Sequence, residues 1–276
     1  MSLRLVAVLL VAALLQGCSG LRLAYNNADV FLRWQANSYF DFEGEASEDL
    51  DRRIQALLAW HRAQALPQYA RLSEEAARRM LRGIRKEDLD WAYDAAQAQV
   101  QEALGAAADE AAGLLDRLTP EQIAHLERRF AEENRKFERE QLRGTVEQRR
   151  KRRLKRNLDR LEEWYGPLTP EQQERVRRYS DAAPLAGDLR DRDRRRRQAE
   201  FVALLKAREA TAKLRPWALA WETSRAPDYA EAQRATRAHY ESLLLDLDRM
   251  LTPAQREHAV GRMRDYAATF SALSRR

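Results

Sequence analysis

The apolar positions of this chain recur with the period of an α-helix, and nowhere do they alternate in twos over any length. Leu50, Ile54, Leu57 and Leu58 fall on one helical face. Ile123, Leu126, Phe130 and Phe137 mark a second stripe, and Leu154, Leu158, Leu161 and Tyr165 a third. Phe201, Leu204 and Leu205 follow, and Val260, Met263, Tyr266 and Phe270 line the last face. Breakers sit between these stripes. Ser47 reads as a helix N-cap with Glu48 and Asp49 in the first turn. Pro67 should kink or break the helix that follows, and Gly83 should end it. An Ala-rich helix runs from about Glu87 to Leu118, Pro216 should interrupt another, and Pro227 and Asp228 should start one that reaches Leu251. Between Ile123 and Tyr165 the pattern predicts one uninterrupted helical stretch of more than about forty residues, polar all round from Glu147 to Arg153. The expectation is an all-α fold of about seven to nine helices, one of them long.

One pentapeptide recurs. LTPEQ stands at Leu118–Gln122 and again at Leu168–Gln172, and LTPAQ at Leu251–Gln255. Each copy reads as a complete helix start. The hydroxyl of Thr119, Thr169 or Thr252 can accept from the backbone N–H three residues on. Proline at the first helical position loses no bond. Gln122, Gln172 or Gln255 can reach back to the cap N–H and close a capping box. Leu118 also has a staple partner in Ile123; Leu168 and Leu251 face Gln173 and Arg256 at that position, so they should pack into the core instead. The repeats read as joints between packed helices.

The first seventeen residues stand apart. Apart from the lone charge Arg4, Leu3 to Leu15 is continuously apolar and too short to span a bilayer, which takes about 20 residues. This is the pattern of a signal peptide. It ends in Leu15-Gln16-Gly17-Cys18, which resembles the lipobox of bacterial lipoproteins. The resemblance implies cleavage before Cys18 and lipidation of its thiol. Cys18 is the only cysteine in the 276 residues, so no internal disulfide can form. By resemblance to lipoprotein sorting, Ser19 after the cysteine implies the periplasmic face of the outer membrane. The expected organisation is residues 1–17 as signal peptide, 18–45 as an aromatic-rich lipidated segment, and 46–276 as a single helical domain. In the second part Val30, Phe31, Trp34, Tyr39 and Phe40 suit either docking on the core or the lipid interface; core docking is favoured.

Charge changes this picture little. A third of the chain is charged, and loss of Arg4 leaves 48 basic residues against 43 acidic. Only six of the 49 basic residues are Lys. The run Arg149, Arg150, Lys151, Arg152, Arg153, Lys155 and Arg156 is a candidate surface for anions or partner proteins; its plain alternative is a solvated helix face. Export and the lack of stacking aromatics in the run argue against nucleic acid. A second cluster, Arg190, Arg192 and Arg194 to Arg197, is interleaved with Asp188, Asp191 and Asp193, which should partly neutralise it.

Catalytic signatures are missing. The four histidines, His61, His125, His239 and His258, form no i, i+4 pair and no H-E-x-x-H. Glu121 and His125 share a helix face, but two ligands do not make a metal site. No G-x-S-x-G occurs. The expectation is a protein without enzymatic activity, cofactor or metal. It should meet the membrane through its lipid anchor and other periplasmic or outer-membrane proteins through its surface. Oligomeric state stays open.

Two resemblances follow from the motifs. The lipobox, YNNAD at Tyr25–Asp29, RWQANSYFDF after it, LLAWHRAQALPQYA at Leu57–Ala70 and GPLTPEQ ending at Gln172 resemble the DUF6279 family of bacterial lipoproteins. That resemblance implies an all-α lipoprotein of the outer membrane. Within YNNAD, Asn26, Asn27 and Asp29 are expected to cap the next helix. The L-T-x-x-Q copies also resemble the signature of the Spy/CpxP group of small periplasmic helical proteins, which implies a chaperone or stress-response role as an alternative. An envelope hydrolase is a third possibility and would need carboxylates converging in a pocket.

Overall fold

A computed structural model describes residues 18–275, so the expected signal peptide lies outside the described residues. Among them every element is helical and no strand occurs. Eleven helical rods follow one another. The short α1 (Cys18–Asn26) and α2 (Ala28–Phe40) come first. The longest rod, α3, runs from Gly44–Trp60 through a π-helical turn at His61–Ala65 into Leu66–Leu81. Then come α4 (Lys86–Leu115) and α5 (Pro120–Phe137, closing in a second π turn at Glu138–Leu142). They are followed by α6 (Val146–Tyr165), α7 (Pro170–Ala182) and α8 (Gly187–Lys206). Last are α9 (Ala210–Leu219), α10 (Pro227–Met250) and α11 (Pro253–Ser274).

The all-α expectation holds, and the helix count exceeds it. The single long helix expected between the first two LTPEQ copies is two helices. Arg143 is extended and Gly144 has φ +96°, a conformation that ends a helix and that glycine adopts at no steric cost. Thr145 then restarts the chain with its own capping box, its hydroxyl accepting from Gln148 N–H at 3.2 Å and Gln148 Oε1 accepting from Thr145 N–H at 3.0 Å. The longest rod is α3 instead, because Pro67 does not break it. A proline at this point lacks an N–H and its ring crowds the carbonyl four residues back. The π turn absorbs this: Leu66 N–H donates to His61 O, five residues back, and the helix resumes with Pro67 in its first turn. Ser47 is not a cap; α3 starts earlier, at Gly44 after an extended Glu43. Pro216 likewise lies inside α9 rather than ending it.

Two apolar clusters fill the molecule. The first takes Leu50, Ile54 and Leu58 of α3 together with Phe40, Phe130 and Phe201. The second takes Ala77 and Met80 from the far end of α3 together with Tyr165, Val176 and Leu247. Thus α3 contributes to both, and α11 lies along its Leu66–Leu81 half in the most extensive helix pairing. Carboxylates tie the ends together. Asp88 accepts from the guanidinium groups of Arg79 and Arg82 at 2.8 and 2.7 Å. Asp116 accepts from Ala210 N–H and Thr211 N–H at 2.6 and 2.9 Å, which caps α9 from another helix.

Candidate functional site

The three repeated motifs start α5, α7 and α11, each with a closed capping box at Thr119, Thr169 and Thr252. Their glutamines do more. Gln172 Nε2 donates to Gln255 Oε1 and Gln255 Nε2 donates to Gln172 Oε1, both at 2.9 Å. Gln172 Nε2 also donates to Met250 O at 2.9 Å, and Gln255 Nε2 to Pro167 O at 2.7 Å. Met250 and Pro167 each immediately precede the other copy's leucine, so the second and third copies meet as equivalent partners. Counting the bonds back to Thr169 and Thr252 N–H, each buried amide fills two donor and two acceptor positions. Leu168 is buried beside them and Leu251 packs on the same cluster. The first copy clasps another element: Gln122 Nε2 donates to Asp41 O at the end of α2. Leu118 is buried in the first cluster with Ile123.

The basic run lies on α6, and much of it is engaged within the chain. Arg149 pairs with Asp188 at 2.9 Å, and Arg152 donates to Arg143 O at 2.6 Å. Arg153 donates to Ala183 O and Pro184 O at 2.8 and 2.9 Å and to Ser180 O, so it closes the end of α7. Lys155 pairs with Asp159 at 2.8 Å. Arg150, Lys151 and Arg156 point outward and have no acidic partner among the described residues. The second cluster, on α8, is compensated as its interleaving implied: Asp191 holds Arg194 and Arg195, and Asp193 holds Arg196. Arg197 lies 4.1 Å from the Trp217 ring centre and donates to Trp217 O at 2.9 Å.

Cys18 is the first residue of α1. The aromatic segment behind it divides. Tyr39 and Phe40 are buried in the first cluster, whereas Leu23, Val30 and Trp34 are 67, 63 and 63 % exposed. Asn27 occupies the N-cap position of α2, but its amide donates back to Leu23 O at 2.8 Å rather than capping the helix ahead.

The composition of the chain does not signal one interior feature. An apolar cavity of about 480 Å³ lies between α2, α3 and α4. Leu32 and Ala36 of α2 and Ala103, Ala107 and Ala111 of α4 line it. Its few polar groups include His61 and Tyr25, which share a hydrogen bond of 2.9 Å. His61 sits at the start of the π turn, a distortion often found at functional sites. Burial lowers the His61 pKa to about 4 and raises those of Tyr25 and Tyr69 to about 12, so all three rings are neutral at pH 7. Of the other histidines, His125 meets Ser38 O at 3.2 Å, and His239 and His258 are exposed. No three His, Cys, Asp or Glu side chains gather as for a metal ion among the described residues, and no described helix is long and apolar enough to cross a membrane.

The class defined here is an all-α protein with paired capping joints, a basic helix face and an apolar cavity. Residues 38–229, more than half of the chain, match a family of unknown function, DUF6279, and the chain belongs to it. No curated protein and no solved structure matches the chain.

Proposed function

We propose that the protein is a non-enzymatic lipoprotein of the bacterial envelope. Cys18 tethers it to the periplasmic face of the outer membrane, and its Arg-rich helical surface binds protein or other envelope components. The observation that carries this reading is the exposure of Leu23, Val30 and Trp34. These are three of the most exposed large apolar side chains among the described residues, and they follow directly on Cys18. Val30 and Trp34 stand one turn apart on α2, and exposed apolar groups so placed mark a protein or membrane contact, with tryptophan favoured at the bilayer interface. Acyl chains on Cys18 would bring these side chains to the lipid surface. On α6, Arg150, Lys151 and Arg156 then face the periplasm as uncompensated cations, held in place by the bonds of Arg149, Arg152 and Arg153.

Labelling bacterial cells with a palmitate analogue tests the tether. The native chain should carry label in the outer-membrane fraction, and Cys18→Ser should lose both label and membrane association. An unlabelled native chain in the soluble fraction overturns the proposal. Photo-crosslinking from position 151 reads the surface. One dominant partner supports dedicated binding, a broad set of unrelated proteins supports a client-holding role like that of the Spy/CpxP group, and no product assigns the basic face to solvent.

A further inference from the structure

The cavity is a site that the basic surface and the tether leave unexplained. We propose that it binds one long-chain fatty acid, with the hydrocarbon tail along α2 and α4 and the carboxylate at Arg62.

Shape carries the first half of the argument. On α2, Ala28, Leu32, Ala36 and Tyr39 line the cavity at a helical spacing. From Ala28 to Tyr39 the helix advances about 16 Å at 1.5 Å per residue. On α4, Ala103, Ala107, Ala111 and Leu114 line it over the same span. The two rows thus run alongside the space for about 16 Å and include several alanines. A length of about 16 Å is close to half the ~30 Å hydrocarbon core of a bilayer, the depth that one leaflet's acyl chains fill. A volume of about 480 Å³ lies within the range of small-ligand sites rather than of packing defects. An unfilled apolar cavity of this size costs dispersion contacts on every wall, which a hydrocarbon ligand restores.

The two ends differ, and this sets the ligand's direction. Towards the Tyr39 end the cavity meets Phe130, whose ring centre lies 6.1 Å from that of Tyr39. Aromatic rings thus line that end. At the other end Tyr25, His61 and Tyr69 supply hydrogen-bonding groups that carry no charge at pH 7. Arg62 lies beside them, its guanidinium 5.7 Å from the Tyr25 ring centre, and it has no carboxylate partner among the described residues. Arg62 therefore stands next to the cavity behind Tyr25, whereas the arginine that lines the cavity itself, Arg53, is engaged by Asp49 and Glu110 O at 3.0 and 2.6 Å. Arg62 is thus the cation left to meet a carboxylate.

This inference is independent of the tether, because it is read on the full chain carrying Cys18→Ser, which has no anchor-borne acyl group. That protein is titrated with a fluorescent long-chain fatty acid. One saturating equivalent is expected. Ala107→Trp fills the middle of the cavity and should weaken binding at least tenfold, as should Ala36→Met on α2. Arg62→Gln should weaken the acid several-fold and abolish its preference over the alcohol of equal length. Circular dichroism establishes that each variant keeps its helix content. Absence of saturable binding overturns the proposal, and so does native affinity in both folded cavity variants. Incubation with vesicles of diacyl phospholipid separates the sources of the chain: lipid carried off by the protein without any titration by the free acid overturns the fatty-acid assignment.

Discussion

Gln172 and Gln255 illustrate how much a single side chain can hold when every polar position is used. Each amide closes its own capping box, bonds the other amide and satisfies a carbonyl at the end of another helix. Truncating either strips the remaining amide of one donor and one acceptor bond and leaves the carbonyl that the lost amide held buried without a partner, which costs about 1–3 kcal/mol. We expect Gln172→Ala and Gln255→Ala each to lose stability in that range by chemical denaturation. The double variant should lose less than the sum, because both singles break the same pair of bonds. His61 makes a second residue-scale prediction. Its folded pKa of about 4 lies below the ordinary value near 6.5, so between these limits the unfolded chain binds the extra proton. Stability is therefore fully present above about pH 6.5 and falls as the pH drops towards 4, by roughly 3 kcal/mol for this one group. Replacing it as His61→Phe should remove that slope from a series of denaturation curves. Carboxylates with lowered pKa, such as Asp88 and Asp116, lose their contribution only below the ordinary carboxylate range, so their effect lies at lower pH.

At the scale of elements, the caps were legible and one of the breaks was not. Thr119, Thr169 and Thr252 were readable as helix starts because proline and glutamine flank each at fixed spacing. Thr145-Val146-Glu147-Gln148 has the same spacing without the proline, and it sits in so polar a stretch that nothing in the hydrophobic pattern marked a joint. The signal that could have found it was Gly144. At φ +96° a side chain is strained by about 1–2 kcal/mol, and an added Cβ would collide with Gln148 Oε1, which closes the box. Gly144→Ala should therefore destabilise the α5–α6 joint by at least that amount and raise cleavage there in limited proteolysis. The converse error came from Pro67. Its chemistry forbids one hydrogen bond pattern, not a helix, and the π turn at His61–Ala65 supplies another. That turn also fixes where the His61 ring stands relative to Tyr25 and the cavity.

The whole molecule is held by α3, whose first half is packed into one apolar cluster and whose second half is packed into the other. Loss of either cluster exposes part of the same rod, which couples the two in unfolding. The outward cations of α6, the exposed apolar side chains of α1 and α2 and the cavity are separate features of this body. The basic run could be read residue by residue, but not its division. Arg153 closes α7 and Arg150 faces solvent only because α7 packs beside α6, and the run itself contains nothing that distinguishes them.

The amino-acid sequence alone determined the helical class, the starts at Thr119, Thr169 and Thr252, and the isolation of Cys18 as the one thiol, because each depends on local backbone chemistry or on a count. Tertiary structure decided that Gln172 and Gln255 clasp across 83 positions, and that Ala36 and Ala107 face a space rather than each other. An alanine helps form a helix wherever it stands. Whether the gap beside it is filled depends on the side chains that distant helices bring to that place.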